Sequence, residues 1–210
     1  DRNLSILLGK LKIKKNLKEK TLLFNKKLQS PGGKEYIKGY FQTEKYFVDI
    51  RNILLSDFTL KKEINQSTKN YSKLIKAQKN SCSIHIRRGD YITDKKANAV
   101  HGTCNISYYK KAISYILNKN KDTSFFIFSD DINWVKENLQ PSNSFYIDHK
   151  TVPHEDIYLM SLCCHNITAN SSFSWWGAWL NKNENKTVIA PKQWFVNKEN
   201  EIVSKSWIQI

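Results

Sequence analysis

The residues best placed to do chemistry stand together at Ser83-Ile84-His85-Ile86-Arg87-Arg88-Gly89-Asp90-Tyr91. An apolar run of strand character stops abruptly at a histidine, two arginines, a glycine and an aspartate. Successive side chains of a strand alternate faces, so His85 and Arg87 are expected on one side. Arg88 is expected on the other, unless the backbone turns at Gly89. Two guanidiniums beside a carboxylate can form a fork for a phosphate or diphosphate. The plainer alternative is an ion-paired strand end in which Asp90 only neutralises an arginine. Arginines concentrated at a strand end are costly unless paired, which favours the ligand-facing reading.

Two further segments end in the same way. Ser124-Phe125-Phe126-Ile127-Phe128 reads as a strand buried on both faces and runs into Ser129-Asp130-Asp131. Asp130 could hold a ribose or accept from base-edge N–H donors such as those of guanine. Capping of a helix over 132–139 is the competing role, and for Asp131 the preferred one. A DxD-type metal site needs carboxylates one residue apart, so this adjacent pair implies no metal. The third segment, Asn170-Ser171-Ser172, precedes a helix, where hydroxyls and free backbone N–H groups make an anion site. A simple N-cap explains that triplet equally well. His154-Glu155-Asp156 opens another helix after Pro153; capping and ligand contact are both open to it. Among the five histidines His85 is the functional candidate by position, whereas His101, His149 and His165 have no identifiable partner. Trp175, Trp176 and Trp179, at helical spacing, read as packing. No Ser-His-Asp or Cys-His nucleophile arrangement is legible.

These groups need a scaffold, and from residue 82 the chain alternates strands and helices. Strand 83–87 is followed by a loop, then a helix from Ser107 to Leu117, strand 124–128, helix 132–139 and strand 145–147. Helix 154–163, a strand over 166–169, a helix from Ser172 and strand 187–190 complete the series. Strand–helix–strand units of this length predict a parallel α/β sheet, whose ligands sit at the carboxyl ends of the strands. The three polar strand ends are therefore expected to converge on one cleft. Upstream, residues 1–30 suggest short strands with basic turns, Pro31-Gly32-Gly33 is a break, and Tyr36 to Gln42 is an aromatic strand-like run. Ile50, Ile53, Leu54 and Phe58 suit an amphipathic helix, and residues 60–79 continue as a polar helix.

The totals set limits. With 210 residues, 40% hydrophobic and 25% charged, the chain is globular, of one large or two small domains. Its +15 charge, from 34 Lys and Arg against 19 Asp and Glu, favours anionic partners. The surplus is mostly dispersed lysine, so a nucleic-acid groove is not indicated. Cys82, Cys104, Cys163 and Cys164 lack zinc-site spacing, and free thiols in a reducing compartment are the expectation. No segment approaches the ~20 apolar residues of a membrane span, and no signal peptide opens the chain, which starts on Asp1. A bacterial cytoplasmic location is expected, with peripheral contact at the inner membrane through basic surface.

Ile84-His85-Ile86-Arg87-Arg88-Gly89-Asp90-Tyr91 closely resembles the first signature of the α-1,2-fucosyltransferases, glycosyltransferase family 11. Tyr108-Tyr109-Lys110, Phe126-Ile127-Phe128-Ser129-Asp130-Asp131 with Trp134, and Asp156-Ile157-Tyr158-Leu159-Met160-Ser161 follow in the same order. Asn170-Ser171-Ser172-Phe173-Ser174-Trp175-Trp176-Gly177-Ala178-Trp179-Leu180 and Ala190-Pro191-Lys192-Gln193-Trp194-Phe195 extend the resemblance. Gly39-Tyr40-Phe41-Gln42 with Tyr46-Phe47 also matches, so that residues 36 to 210 are covered. The resemblance implies a GT-B-type fold with a Rossmann-like C-terminal donor domain at 80–210, residues 1–79 being the remainder of the acceptor-side domain. It implies GDP-fucose as donor, no metal cofactor, and inverting transfer to the 2-hydroxyl of a galactose-terminated glycan. Arg87 would bind the donor diphosphate, with Arg88 supporting the loop or the phosphate. His85 and Asp130 would lie on the guanosine side, and Asn170, Ser171 and Ser172 would complete the phosphate cradle. Asp90 is the candidate base; orienting Arg88 is its other open role. The family's opening Gly-x-Leu-Gly-Asn-Gln-type segment has no match, so the N-terminal domain is expected to be incomplete. The competing expectations are a nucleotide-sugar or glycan binding protein without turnover and, more remotely, a basic nucleic-acid-binding protein.

Overall fold

The computed structural model describes residues 15–30, 35–61, 63–147 and 152–210. The strands expected before residue 15, the Pro31-Gly32-Gly33 break and His149 lie outside the described residues. The chain divides into two compact units, residues 1–51 with 198–204, and residues 52–197 with 205–210.

In the first unit, strands β1 (Lys15–Lys18) and β2 (Glu35–Lys38) pair in parallel, and helix α1 (Lys26–Gln29) lies between them in sequence. The aromatic run expected as strand to Gln42 leaves the strand at Lys38, because the Glu19 carboxylate accepts from the Tyr40 and Phe41 N–H groups at 2.7 and 3.1 Å. Phe41 takes a left-handed φ of 50°, and a Cβ on Gly39 would stand 2.5 Å from that of Glu19, so the braced turn requires the glycine. The chain then runs into helix α2 (Arg51–Asp57), which spans the division between the units and buries no residue. Ile53 and Phe58 stay 58% and 54% exposed, so the expected helix forms without a buried apolar face.

In the second unit, helix α3 (Gln66–Ala77) precedes a six-stranded sheet. Its strands are β3 (Ser81–Ile86), β4 (Ser124–Ser129), β5 (Ser144–Ile147), β6 (His165–Ile167), β7 (Val188–Ala190) and β8 (Ile208–Gln209). All neighbours pair in parallel, in the order β5-β4-β3-β6-β7-β8. The chain thus starts in the middle, winds to one edge, and returns to build the other half. This is the arrangement of doubly wound nucleotide-binding sheets, with the order reversing between β3 and β6. Where a loop was expected after β3, two short helices stand instead, α4 (Gly89–Thr93) and α5 (Lys95–His101). The Asp94 side chain nucleates the second by accepting from Lys96 N and Ala97 N. Strand β8 had no sequence expectation; two residues at an edge carry too little pattern to see.

Helices cover both faces. On one lie α6 (Ile106–Lys119) and α7 (Ile132–Asn138); Tyr109, Ala112, Ile113 and Ile116, at i, i+3, i+4 and i+7, pack on Cys82, Ile84, Ile86, Phe125 and Ile127. On the other face α3 and α8 (Pro153–Leu162) surround Phe126, Phe128 and Ile147, with Phe173 of α9 (Ser172–Leu180) packed against the cluster. The alternation along β4 is thus apolar on both faces, as the run of phenylalanines predicts. Each such buried side chain contributes roughly 1.5–3 kcal/mol. Ile75 of α3 belongs to the second core, so the sheet's unit extends upstream of the change of rhythm at residue 82.

Trp175 and Trp179 are buried and join Trp176 and Trp207 in a ring cluster at 5.1–5.9 Å, the packing role expected of them. All four cysteines are free thiols. Among the described residues, no helix is long and apolar enough to cross a membrane.

Candidate functional site

Strand β3 ends at Ile86, and the next two residues carry the charge away from the sheet. The backbone leaves the extended conformation at Arg88 (φ −134°, ψ −52°), one residue before the glycine. Both guanidiniums reach carboxylates at the end of the neighbouring strand β4, Arg88 on the side of the sheet where Trp134 packs. Arg87 lies between two carboxylates, Nη2 at 2.8 Å from Asp90 Oδ1 and Nη1 at 3.0 Å from Asp130 Oδ2. Arg88 Nε meets Asp131 Oδ2 at 3.1 Å, and its guanidinium lies 3.6 Å from the Trp134 ring centroid. The Arg88 backbone N–H donates to Asp130 Oδ1 at 2.9 Å. Asp90 thus pairs with Arg87, not with Arg88.

Gly89 makes this proximity feasible. A Cβ there would stand 2.7 Å from Asp130 Oδ2, so only glycine lets the turn pass the carboxylate that holds Arg87. Asp131 fills the capping role expected of it, accepting from Trp134 N at the start of α7, and also takes Arg88. Two arginines and three carboxylates thus form one network around the adjacent ends of β3 and β4.

The end of β6 closes the other side of the point where the strand order reverses. Ser171 caps α9 by accepting from Phe173 N at 3.3 Å, and Ser172 is exposed at the first helical position. Asn170 has a different use. It is 2% exposed, and its Nδ2 donates to His101 O at 2.8 Å and to Gly102 O and Trp194 O at 3.3 Å. Its amide joins three chain segments, so what it offers at the crevice is the placement of the α9 N-terminus.

His85 lies on the α9 side of the sheet, its ring 5.4 Å from that of Phe173. It is 5% exposed, and Nδ1 has no hydrogen-bond partner. Burial first, and the Arg87 charge second, bring its pKa down to about 3, so the imidazole is neutral. Tyr91 OH donates to Asn170 O at 3.4 Å, and the Tyr91 ring stacks at 4.8 Å on His101, giving that histidine the partner the sequence did not reveal. His165 also has partners, at Asn120 Nδ2 and Thr187 N.

Of the 154–156 triplet, Glu155 settles as a cap, though of another helix. Its carboxylate accepts from Asn65 N, Asn65 Nδ2 and Thr68 Oγ1 at the N-terminus of α3. A cavity of about 740 Å³ lies between the 55–64 segment and the outer faces of α8 and α9, and its walls contain none of the strand-end residues. The crevice between β3 and β6 is therefore the candidate site. Trp134 was legible only as a member of a motif; its place in the first turn after β4, three residues beyond Asp131, was the physical signal.

Residues 13–210 match the sequence model of glycosyl transferase family 11. The chain is 36% identical over 195 residues to the O-antigen biosynthesis glycosyltransferase WbnK of Escherichia coli, covering 90% of this chain and 64% of that protein. It is 40% identical over 172 residues to an alpha-1,2-colitosyltransferase of Escherichia coli, covering 80% of this chain and 58% of that protein. Similarity at 23% identity over 147 residues reaches galactoside alpha-(1,2)-fucosyltransferase 1 of Leontopithecus chrysomelas, covering 64% of this chain and 40% of that protein. The chain thus spans about three fifths of the length of the two bacterial relatives. It is a member of glycosyl transferase family 11.

Proposed function

We propose that this chain carries the donor-binding part of an α-1,2-fucosyltransferase that uses GDP-fucose and transfers fucose, with inversion, to the 2-hydroxyl of a terminal galactose. The carrying observation is Arg87, presented at the reversal of strand order between Asp90 and Asp130 and opposite the N-terminus of α9. The sheet of residues 80–210 then acts as the donor domain of a GT-B-type enzyme, with helix α3 packed on it as part of the same unit and the residues before 52 on the acceptor side.

In this reading Arg87 meets the diphosphate. Its guanidinium carries five N–H donors and lies between two carboxylates, so a phosphate oxygen can be taken without releasing both ion pairs. As the bond from fucose C1 to the diphosphate oxygen breaks, negative charge develops on that oxygen. Arg87 and the N–H groups at Ser172 stabilise it. The acceptor 2-hydroxyl attacks C1 from the opposite face, and its proton goes to Asp90, half-exposed beside Arg87. Asp130, at the end of the second strand of the doubly wound sheet, is where such folds present a carboxylate to a ribose. The neutral His85 would serve an uncharged part of the guanosine.

A second reading concerns the sugar alone: the 40% identity to a colitosyltransferase favours a colitose donor on the same machinery. Supplying GDP-fucose or GDP-colitose with lactose, and reading the product by mass spectrometry, separates the two. A trisaccharide from neither donor, in a chain that binds GDP, would leave the nucleotide-sugar binding protein as the surviving reading. The +15 charge supports peripheral contact with an anionic membrane. Sedimentation with phosphatidylglycerol vesicles, lost on raising salt, is the expected behaviour; equal sedimentation with neutral vesicles would contradict it.

A further inference from the structure

We infer that Trp134 is a positioning residue for the phosphate-facing arginine, acting through Arg88 and Asp130. The inference rests on the reading of the β3–β6 crevice as a nucleotide site and adds a division of labour within it. The two adjacent arginines are held quite differently. The Arg87 side chain is 36% exposed and meets carboxylates at the strand ends. That of Arg88 is 19% exposed, with its guanidinium against the Trp134 ring at 3.6 Å and Nε on Asp131. A guanidinium at that distance uses its flat face on the aromatic ring, and tryptophan provides the strongest such surface. With its face covered and Nε engaged, Arg88 acts here through its main chain.

The contacts then form a relay. Trp134 in the first turn of α7 and Asp131 at its N-cap fix the Arg88 side chain and with it the non-extended backbone at this residue. That backbone aims the Arg88 N–H at Asp130 Oδ1, and Oδ2 of the same carboxylate holds Arg87 Nη1. Gly89, having no Cβ, leaves the space that this carboxylate occupies. Loosening the stack on Trp134 therefore frees the carboxylate that orients Arg87, although Trp134 itself touches no ligand.

The test is calorimetric titration with GDP of the wild-type chain and of Trp134→Leu, Trp134→Phe, Arg88→Ala and the Trp134→Leu/Arg88→Ala double variant. Leucine keeps apolar volume and removes the aromatic face; phenylalanine keeps the face. Trp134→Leu is expected to weaken GDP binding roughly five- to thirtyfold, with Trp134→Phe restoring most of the loss. The double variant is expected to bind no more weakly than Arg88→Ala alone. Wild-type affinity in Trp134→Leu, or losses that simply add in the double variant, would overturn the inference while leaving the site reading intact. A wild-type chain that is folded yet fails to bind GDP would remove the site reading, and this inference with it. The Arg88 Nε–H proton should also show an upfield ring-current shift in wild type and Trp134→Phe. Its absence from wild type would deny the stack itself.

Discussion

At Arg87 the structure gives the ion-paired reading, and the ligand-facing one is the proposal made above. The guanidinium is ion-paired, with Asp90 and Asp130, and it is also the cation presented where a doubly wound sheet takes its ligand. What permits this placement is Gly89, which leaves space for Asp130. Gly89→Ala would push the Asp130 carboxylate off Arg87 without disturbing the core. GDP affinity is expected to fall about tenfold or more with thermal stability nearly unchanged. Equal affinity in a titration of the two proteins would show that the Arg87–Asp130 pair is not needed. His85 gives a second consequence at this scale. In the unfolded chain its pKa is about 6.5, whereas in the fold it lies near 3. The unfolded state therefore takes up a proton that the native state refuses, and stability is lost as pH falls from about 6.5 towards 3. The loss at pH 4.5 is about 2–3 kcal/mol. His165, also lowered by burial, acts in the same direction. His85→Asn is expected to flatten the dependence in urea unfolding at pH 4.5 and 7; an unchanged slope would contradict the buried neutral state.

Elements were legible where a pattern filled them. The phenylalanine run of β4 and the i, i+3, i+4, i+7 apolar face of α6 specified their structures and their partners. Helices α4 and α5 were hidden because each is too short for periodicity, and a single capping Asp94 gives the second its start. Glu155 was visible as an acidic residue in the first turn of α8, yet its use on α3 depends on a contact 87 to 90 residues away in sequence, which no local pattern encodes. That contact is testable. Glu155→Gln replaces an acceptor that takes three donors at a helix N-terminus, and should cost about 2–3 kcal/mol of stability. A chemical unfolding midpoint equal to wild type would place the anchoring of α3 elsewhere.

For the molecule as a whole, strand–helix alternation predicted a parallel α/β sheet, and the sheet is parallel throughout. The expectation that three polar strand ends share one region follows from that order, since β3 lies between β4 and β6. The partner of Arg88 and the burial of Asn170 were not legible, because both depend on which strand becomes a neighbour. Membership of glycosyl transferase family 11 gives these strand ends a chemical context. The central claim is that Arg87 anchors a nucleoside diphosphate there, with no metal needed for binding. Calorimetric titration with GDP, with Mg²⁺ and with chelator, on this chain and on Arg87→Ala, addresses it directly. The account predicts saturable binding that is indifferent to Mg²⁺ and lost in Arg87→Ala. Binding abolished by chelation, or retained in a folded Arg87→Ala, would contradict it.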